Sequence, residues 1–158
     1  MKTVHVHDVK ASDWTGGRTW QLLILPQGSS LGERNFEYRL STASIESDHS
    51  TFTLMPGFER YLVVLTEPIK LSINGSFKKL APDTVLHFMG SDQIESSGHT
   101  QDFNLIKRAG LEGSLEMLSG ELCGPAIAFD ADKMALFFLE AGESAHFERA
   151  VWVKIPFT

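Results

Sequence analysis

Apolar and polar residues alternate along this chain in short runs, and turn residues interrupt the runs every few positions. Thr19–Leu25, Phe36–Ile45, Tyr61–Leu65, Ile69–Ile73, Val85–Phe88, Phe103–Ile106, Met134–Glu140 and Ala150–Phe157 have strand length and are rich in aromatic or β-branched residues. Gly16–Gly17, Pro26–Gly32, Asp48–Ser50, Pro56–Gly57, Ala81–Asp83, Gly90–Asp92, Ser96–Gly98 and Gly124–Pro125 carry turn chemistry. Asn74–Gly75, flanked by Ile69–Ile73 and Phe77–Leu80, predicts a type I′ hairpin. Helical periodicity is confined to Leu111–Leu118, where Gly110, Gly113 and Gly120 leave helix and strand equally open. Many short strands at intervals of about 8–12 residues predict an all-β sandwich or barrel. We expect one domain over residues 1–158, with a soft subdivision near 108–113. That subdivision separates a main region, 1–108, from a smaller β region, 114–158.

Composition narrows the function. The 158 residues hold 14 basic and 20 acidic side chains, a net charge of −6, with no basic block. This balance argues against nucleic acid as the principal partner, because phosphate backbones are bound by clustered Lys and Arg. The opening MKTVHVHDVK lacks a hydrophobic h-region, and Tyr61–Leu65 is far too short to cross a bilayer, so no membrane role is expected. Cys123 is the single cysteine; it excludes an internal disulfide and fits a reducing, cytoplasmic location.

Arginine is scarce, and two arginines stand inside apolar strand patterns. In the run from Phe36 to Ala43, period two puts Phe36, Tyr38 and Leu40 on one face and Arg39, Ser41 and Ala43 on the other. A guanidinium beside a hydroxyl and a small residue suits a carboxylate, since its five donors form a rigid fork. The plain alternative is a solvated strand face. Arg60 follows the Pro56–Gly57 turn at the mouth of an apolar strand, where it can reach into a barrel or simply guard an edge. In Asp102-Phe103-Asn104 the two polar side chains project to one side; with Arg108 nearby they can orient a polar small molecule, or they can form a local Asx turn.

Other chemistries have weaker support. His5-Val6-His7 would put two imidazoles on one strand face, a spacing that metal sites use, but no carboxylate at fixed spacing completes the set. There is no Gly-x-Ser-x-Gly elbow and no P-loop, and Cys123 has no local partner pattern. An aspartate or a glutamate can serve as general base, because acid–base work needs only geometry and a suitable pKa.

The ordered set Trp14-Thr15-Gly16-Gly17-Arg18-Thr19-Trp20-Gln21, Tyr38 to Ile45, Phe52, Pro56-Gly57-Phe58-Glu59-Arg60, Phe88 to Asp92 and Asp102-Phe103-Asn104 resembles the HutD/Ves family of cupin-like proteins. The resemblance spans roughly Trp14 to Arg108 and implies a cupin-like β-sandwich or jelly roll, in a compact bicupin arrangement. Metal-binding cupins usually present His-x-His where Arg39-Leu40-Ser41 stands here, so the resemblance implies a metal-free cupin with no cofactor. It further implies a ligand site made of Arg39, Ser41, Arg60, Asp102 and Asn104, with Trp20 and Phe88 as walls. The ligand it implies is a small carboxylate, such as a histidine-degradation intermediate or an N-formylated or related glutamate derivative, in a sensing or regulatory role. Ves members are instead associated with stress response. Cupin sheets often pair, so a homodimer is a further expectation. The chain departs from the family pattern at Asp48-His49, Phe52-Thr53 and Thr66-Glu67-Pro68, in its rim loops. The readings that compete with a carboxylate binder are a metal-independent isomerase or hydrolase using Asp102 as base, and a protein-interaction module.

Overall fold

A computed structural model describes residues 1–156; Phe157, the last residue of the expected final strand, lies outside the described residues. Fifteen strands and one three-residue 3-10 turn, Val6–Asp8, make up the regular structure, with no α-helix among the described residues. Two compact units form. One runs from Ala11 to Leu111; the other joins Met1–Lys10 to the chain from Glu112 onward. The boundary between the units falls at Leu111–Glu112, and the first ten residues, expected with the main region, belong with the last part of the chain.

In the Ala11–Leu111 unit, β2 (Ser12–Trp14), β3 (Gly17–Leu25), β4 (Tyr38–Ile45), β6 (Phe58–Val64), β9 (Val85–Met89) and β11 (Thr100–Arg108) form a six-stranded sheet in the order β2-β3-β4-β11-β6-β9. The remaining strands, β5 (His49–Thr51), β7 (Ile69–Ile73), β8 (Ser76–Leu80) and β10 (Ile94–Ser97), form a second sheet in the order β5-β10-β7-β8. Every pairing is antiparallel. The sheets share one apolar core. Ile45, Leu62, Val64, Leu86 and Phe88 from the first sheet pack with Ile69, Leu71, Leu80 and Ile94 from the second. This is a β-sandwich, in which inward residues of both sheets alternate with outward ones.

Local chemistry sets the register. Asn74 and Gly75 take φ of 50° and 86°, the two left-handed positions that a type I′ turn requires, and join β7 to β8 as expected. A bulge between Gln21 and Leu23 shifts the β3–β4 register, so Gln21 faces Ser41 while Leu23 faces Leu40. Phe36 departs from the expected alternation. It precedes β4 and packs with Met55, Phe58 and Ile106, stacked on Phe58 at 4.8 Å.

In the second unit, β1 (Lys2–His5), β12 (Ser114–Cys123), β13 (Ala126–Asp130), β14 (Ala135–Leu139) and β15 (Ser144–Lys154) form one sheet, ordered β1-β14-β13-β15-β12. In the ambiguous Leu111–Leu118 run, Ser114–Leu118 are strand, because β12 pairs with β15 over nearly its whole length, while residues 111–113 precede it. Leu122, Ala126, Ala128, Leu139, Phe147 and Ala150 form its core.

Candidate functional site

Pairing across the six-stranded sheet lines up the sequence candidates. One row reads Ile24, Arg39, Ile106, Arg60, Phe88; the next reads Gln21, Ser41, Asn104, Leu62, Leu86; a third holds Thr19, Ala43, Asp102 and Val64. Rows two residues apart share a face, so Arg39, Ser41, Arg60, Asp102, Asn104 and Phe88 stand on one side of the sheet. It is the side that carries Leu62, Val64 and Leu86 into the sandwich core. Trp20 is not brought to them. It pairs with Thr42, in the row that faces the other way.

Both guanidinium groups are buried, each residue only 8% exposed. Arg39 donates from Nε to Gln21 Oε1 at 2.8 Å and from Nη1 to Ser41 Oγ at 3.3 Å. The β3 bulge delivers Gln21, which is itself exposed. Arg60 donates from Nη1 to the Thr53 carbonyl at 3.4 Å, and its Nε has no partner. Its guanidinium carbon lies 5.5 Å from the Phe52 ring centre and 5.3 Å from that of Phe88, so aromatic faces hold it on two sides. Neither arginine has a carboxylate within ion-pair distance among the described residues. Burial lowers the Arg39 pKa, and it lowers that of Arg60 to about 10, with Asp102 opposing and Arg39 reinforcing the shift. Arg60 therefore keeps its charge at neutral pH.

Asp102 is 4% exposed. Its Oδ1 accepts the Ala43 N–H at 3.0 Å, and its backbone carbonyl accepts the Thr42 hydroxyl. Burial pushes its carboxyl up to about 7, against the opposing pull of the Ala43 N–H and of Arg60. Asn104 Oδ1 is buried without a partner. This face of the sheet thus presents a free donor at Arg60 Nε and a free acceptor at Asn104 Oδ1. Buried polar atoms without partners are uncommon in folded proteins and need an explanation.

Arg108 does not join this group. Its Nη2 donates to the carbonyls of Arg34 and Phe36, both at 3.0 Å, and its guanidinium lies over Phe58. The histidines do not converge either. β1 ends at His5 and His7 lies in the 3-10 turn, so the two do not share a strand face, although their rings are 5.3 Å apart. No three metal-ligating side chains converge among the described residues. A cupin metal would need neutral imidazoles or carboxylates where Arg39 and Arg60 stand. A permanent cation cannot ligate and repels a metal ion, so the donor set does not fit one.

A double-layer antiparallel sandwich with a polar cluster on an inner face is the architecture of cupin-like proteins, and comparison with known proteins agrees. The HutD family model matches residues 6–152, and the chain belongs to the HutD family. The structure of HutD from Pseudomonas fluorescens SBW25 (formate condition) is 21% identical with a TM-score of 0.77, the match covering 97% of this chain and 96% of that one. A conserved protein of unknown function from Pseudomonas aeruginosa PAO1 is 20% identical with a TM-score of 0.71, over 96% of this chain and 90% of that one. Ectoine synthase from P. lautus matches at 11% identity with a TM-score of 0.56, over 68% of this chain and 78% of that one. No curated protein matches.

Three contributors to the cluster escape the sequence reading. Gln21 is turned in by a bulge that breaks the strand period. The Thr53 carbonyl is backbone and leaves no side-chain signal. Phe52 stands just past β5, between the turns predicted at Asp48–Ser50 and Pro56–Gly57 and outside every predicted strand.

Proposed function

We propose that this HutD-family chain binds a small carboxylate metabolite on the Arg39–Arg60 face, with guanidinium groups as the anion's partners, in a sensing or regulatory role. The observation that carries this reading is a pair of buried guanidinium groups on one inner face with no carboxylate within ion-pair distance, the one carboxyl on that face, Asp102, being itself pushed toward its neutral form by burial. A carboxylate there would receive charge-assisted hydrogen bonds contributing about 1.5–3 kcal/mol each. Arg60 Nε has a free donor for it. Asn104 Oδ1 adds a requirement, because a buried acceptor is satisfied only by an N–H or O–H on the ligand. Amino and amido acids meet both demands, which supports a glutamate derivative or a histidine-degradation intermediate as the ligand. Phe52 and Phe88 would flank the bound acid and exclude water from its carboxylate.

The test is calorimetric titration with formate, acetate, glutamate and N-acylglutamates. At least one acid should bind saturably, and Arg60→Ala should weaken it by about 10–100-fold, the loss of one or two charge-assisted bonds. Flat isotherms for every acid would reject the reading. The nearly neutral pKa of Asp102 favours one second reading, a metal-independent isomerase or hydrolase with Asp102 as general base. Turnover of a bound acid that disappears in Asp102→Asn would establish it.

A further inference from the structure

Asp102 shares its inner face with the two guanidinium groups and is the one carboxyl there among the described residues. Along β11 it is followed on that face by Asn104 and Ile106, whose partners on β6 are Leu62 and Arg60. Asn104 thus stands between Asp102 and the arginine row, about 7 Å from each along the strand. Asn104 Oδ1 and Arg60 Nε are both buried without a partner, so an acid held by the two sits one same-face position from Asp102. Other charges lie outside this interior. Glu46, Asp48, Glu67, Asp83 and His99, in the turns at the Asp102 end of the sheet, are all exposed. The buried residues of the second sheet, Ser50, Ile69, Leu71, Leu80, Ile94 and Ser96, carry no charge, and Lys78, which pairs with Leu71, is exposed. Arg39 and Arg60 are therefore the charged groups that share a face with Asp102.

We infer that above neutral pH this face takes up a proton together with the acid it binds, and that the Asp102 carboxyl holds the proton. The inference rests on the carboxylate reading above. Two effects act in the same direction. An arriving carboxylate is a like charge in a buried site, where two carboxylates do not both stay ionised. It also engages Arg60, whose charge, with the Ala43 N–H, now opposes the rise of the Asp102 pKa. Each effect tightens the carboxyl's hold on a proton. The unbound carboxyl titrates at about 7, so the change falls where its proton is being lost. A protonated carboxyl is moreover an O–H donor, and can hydrogen-bond the acid that the ionised form repels. Linkage is reciprocal: an acid that tightens the proton is itself tightened by the proton, by the same factor. Affinity is therefore complete below about pH 7. Above that it declines, by as much as tenfold per pH unit, until the pKa of the complex is passed.

Formate, acetate and N-acetylglutamate stay ionised between about pH 6 and pH 8.5, so any pH dependence in that range belongs to the protein. Calorimetric titration of the full chain should show the affinity for whichever of them binds falling about tenfold across the range. At about pH 8, heats in phosphate and in Tris, two buffers of different ionisation enthalpy, should differ by the uptake of a large fraction of a proton per acid. Asp102→Asn should abolish both the slope and the buffer dependence. An affinity that stays level with pH, heats that match in the two buffers, or a slope that persists in the variant overturns the proton coupling and leaves carboxylate binding standing. Where the variant folds poorly or does not bind, infrared difference spectra of the unsubstituted chain at about pH 8 decide. The C=O band of a protonated carboxyl should appear on adding the acid, and its absence overturns the inference. Failure of all three acids to bind at about pH 6 removes the carboxylate reading itself, and the coupling with it.

Discussion

Replacing Asp102 by asparagine isolates the energy held in one buried carboxyl. In the folded protein this carboxyl titrates at about 7, against an ordinary 3.8, chiefly because burial penalises its charged form. The native state therefore holds the proton more tightly than the unfolded chain. With a raised folded-state pKa, the associated stability is fully present below the unfolded value, falls as pH rises above it, and is lost once pH passes the folded value. Each pH unit in that window removes about 1.4 kcal/mol, so the whole interval amounts to about 4 kcal/mol. Asparagine has the same shape, can accept the Ala43 N–H through its own oxygen, and does not ionise. Urea unfolding of both proteins from about pH 4.5 to about pH 8 should show the variant's relative stability climbing by about 3–4 kcal/mol and levelling above about pH 7. Taking the difference between the two proteins cancels every other titrating group. A difference that stays flat, or that shrinks as pH rises, would refute the burial argument.

Two further outcomes follow from the same geometry. Arg60→Met removes an unpaired buried cation while keeping apolar contact with Phe52 and Phe88, so unfolding should show a gain of about 1–3 kcal/mol together with loss of acid binding. Gly90→Ala would put a β-carbon 2.0 Å from the Met55 carbonyl and 2.8 Å from that of Phe58; calorimetry should register a loss of about 3 kcal/mol.

Much of the fold was legible because strand alternation is a local property. β4 buries Tyr38 and Leu40 and β11 buries Phe103 and Leu105 on one face, and that period places Arg39, Ser41, Asp102 and Asn104 on the other without any knowledge of partners. Arg60 and Phe88 could be named as candidates, but their adjacency could not, since it comes from the β6–β9 register across a connection of about twenty residues. Trp20 came in through the resemblance alone, and its pairing with Thr42 turns it to the other face of the sheet. Ser50 and Ser96 read as turn residues because their strands are only three and four residues long and mostly polar, too short for a period to emerge. Only pairing to each other and to β7 makes those segments strands at all.

The sheet of the second unit is assembled from opposite ends of the polypeptide: β1 pairs with β14, residue 3 facing residue 137. During synthesis the first strand leaves the ribosome long before its neighbour exists, while the ten strands from Ser12 to Arg108 find all their partners among themselves. The intervening unit can thus finish folding while Lys2–His5 still waits as a solvated tail. A nascent chain released before β14 would carry a complete arginine face and an orphaned leading segment.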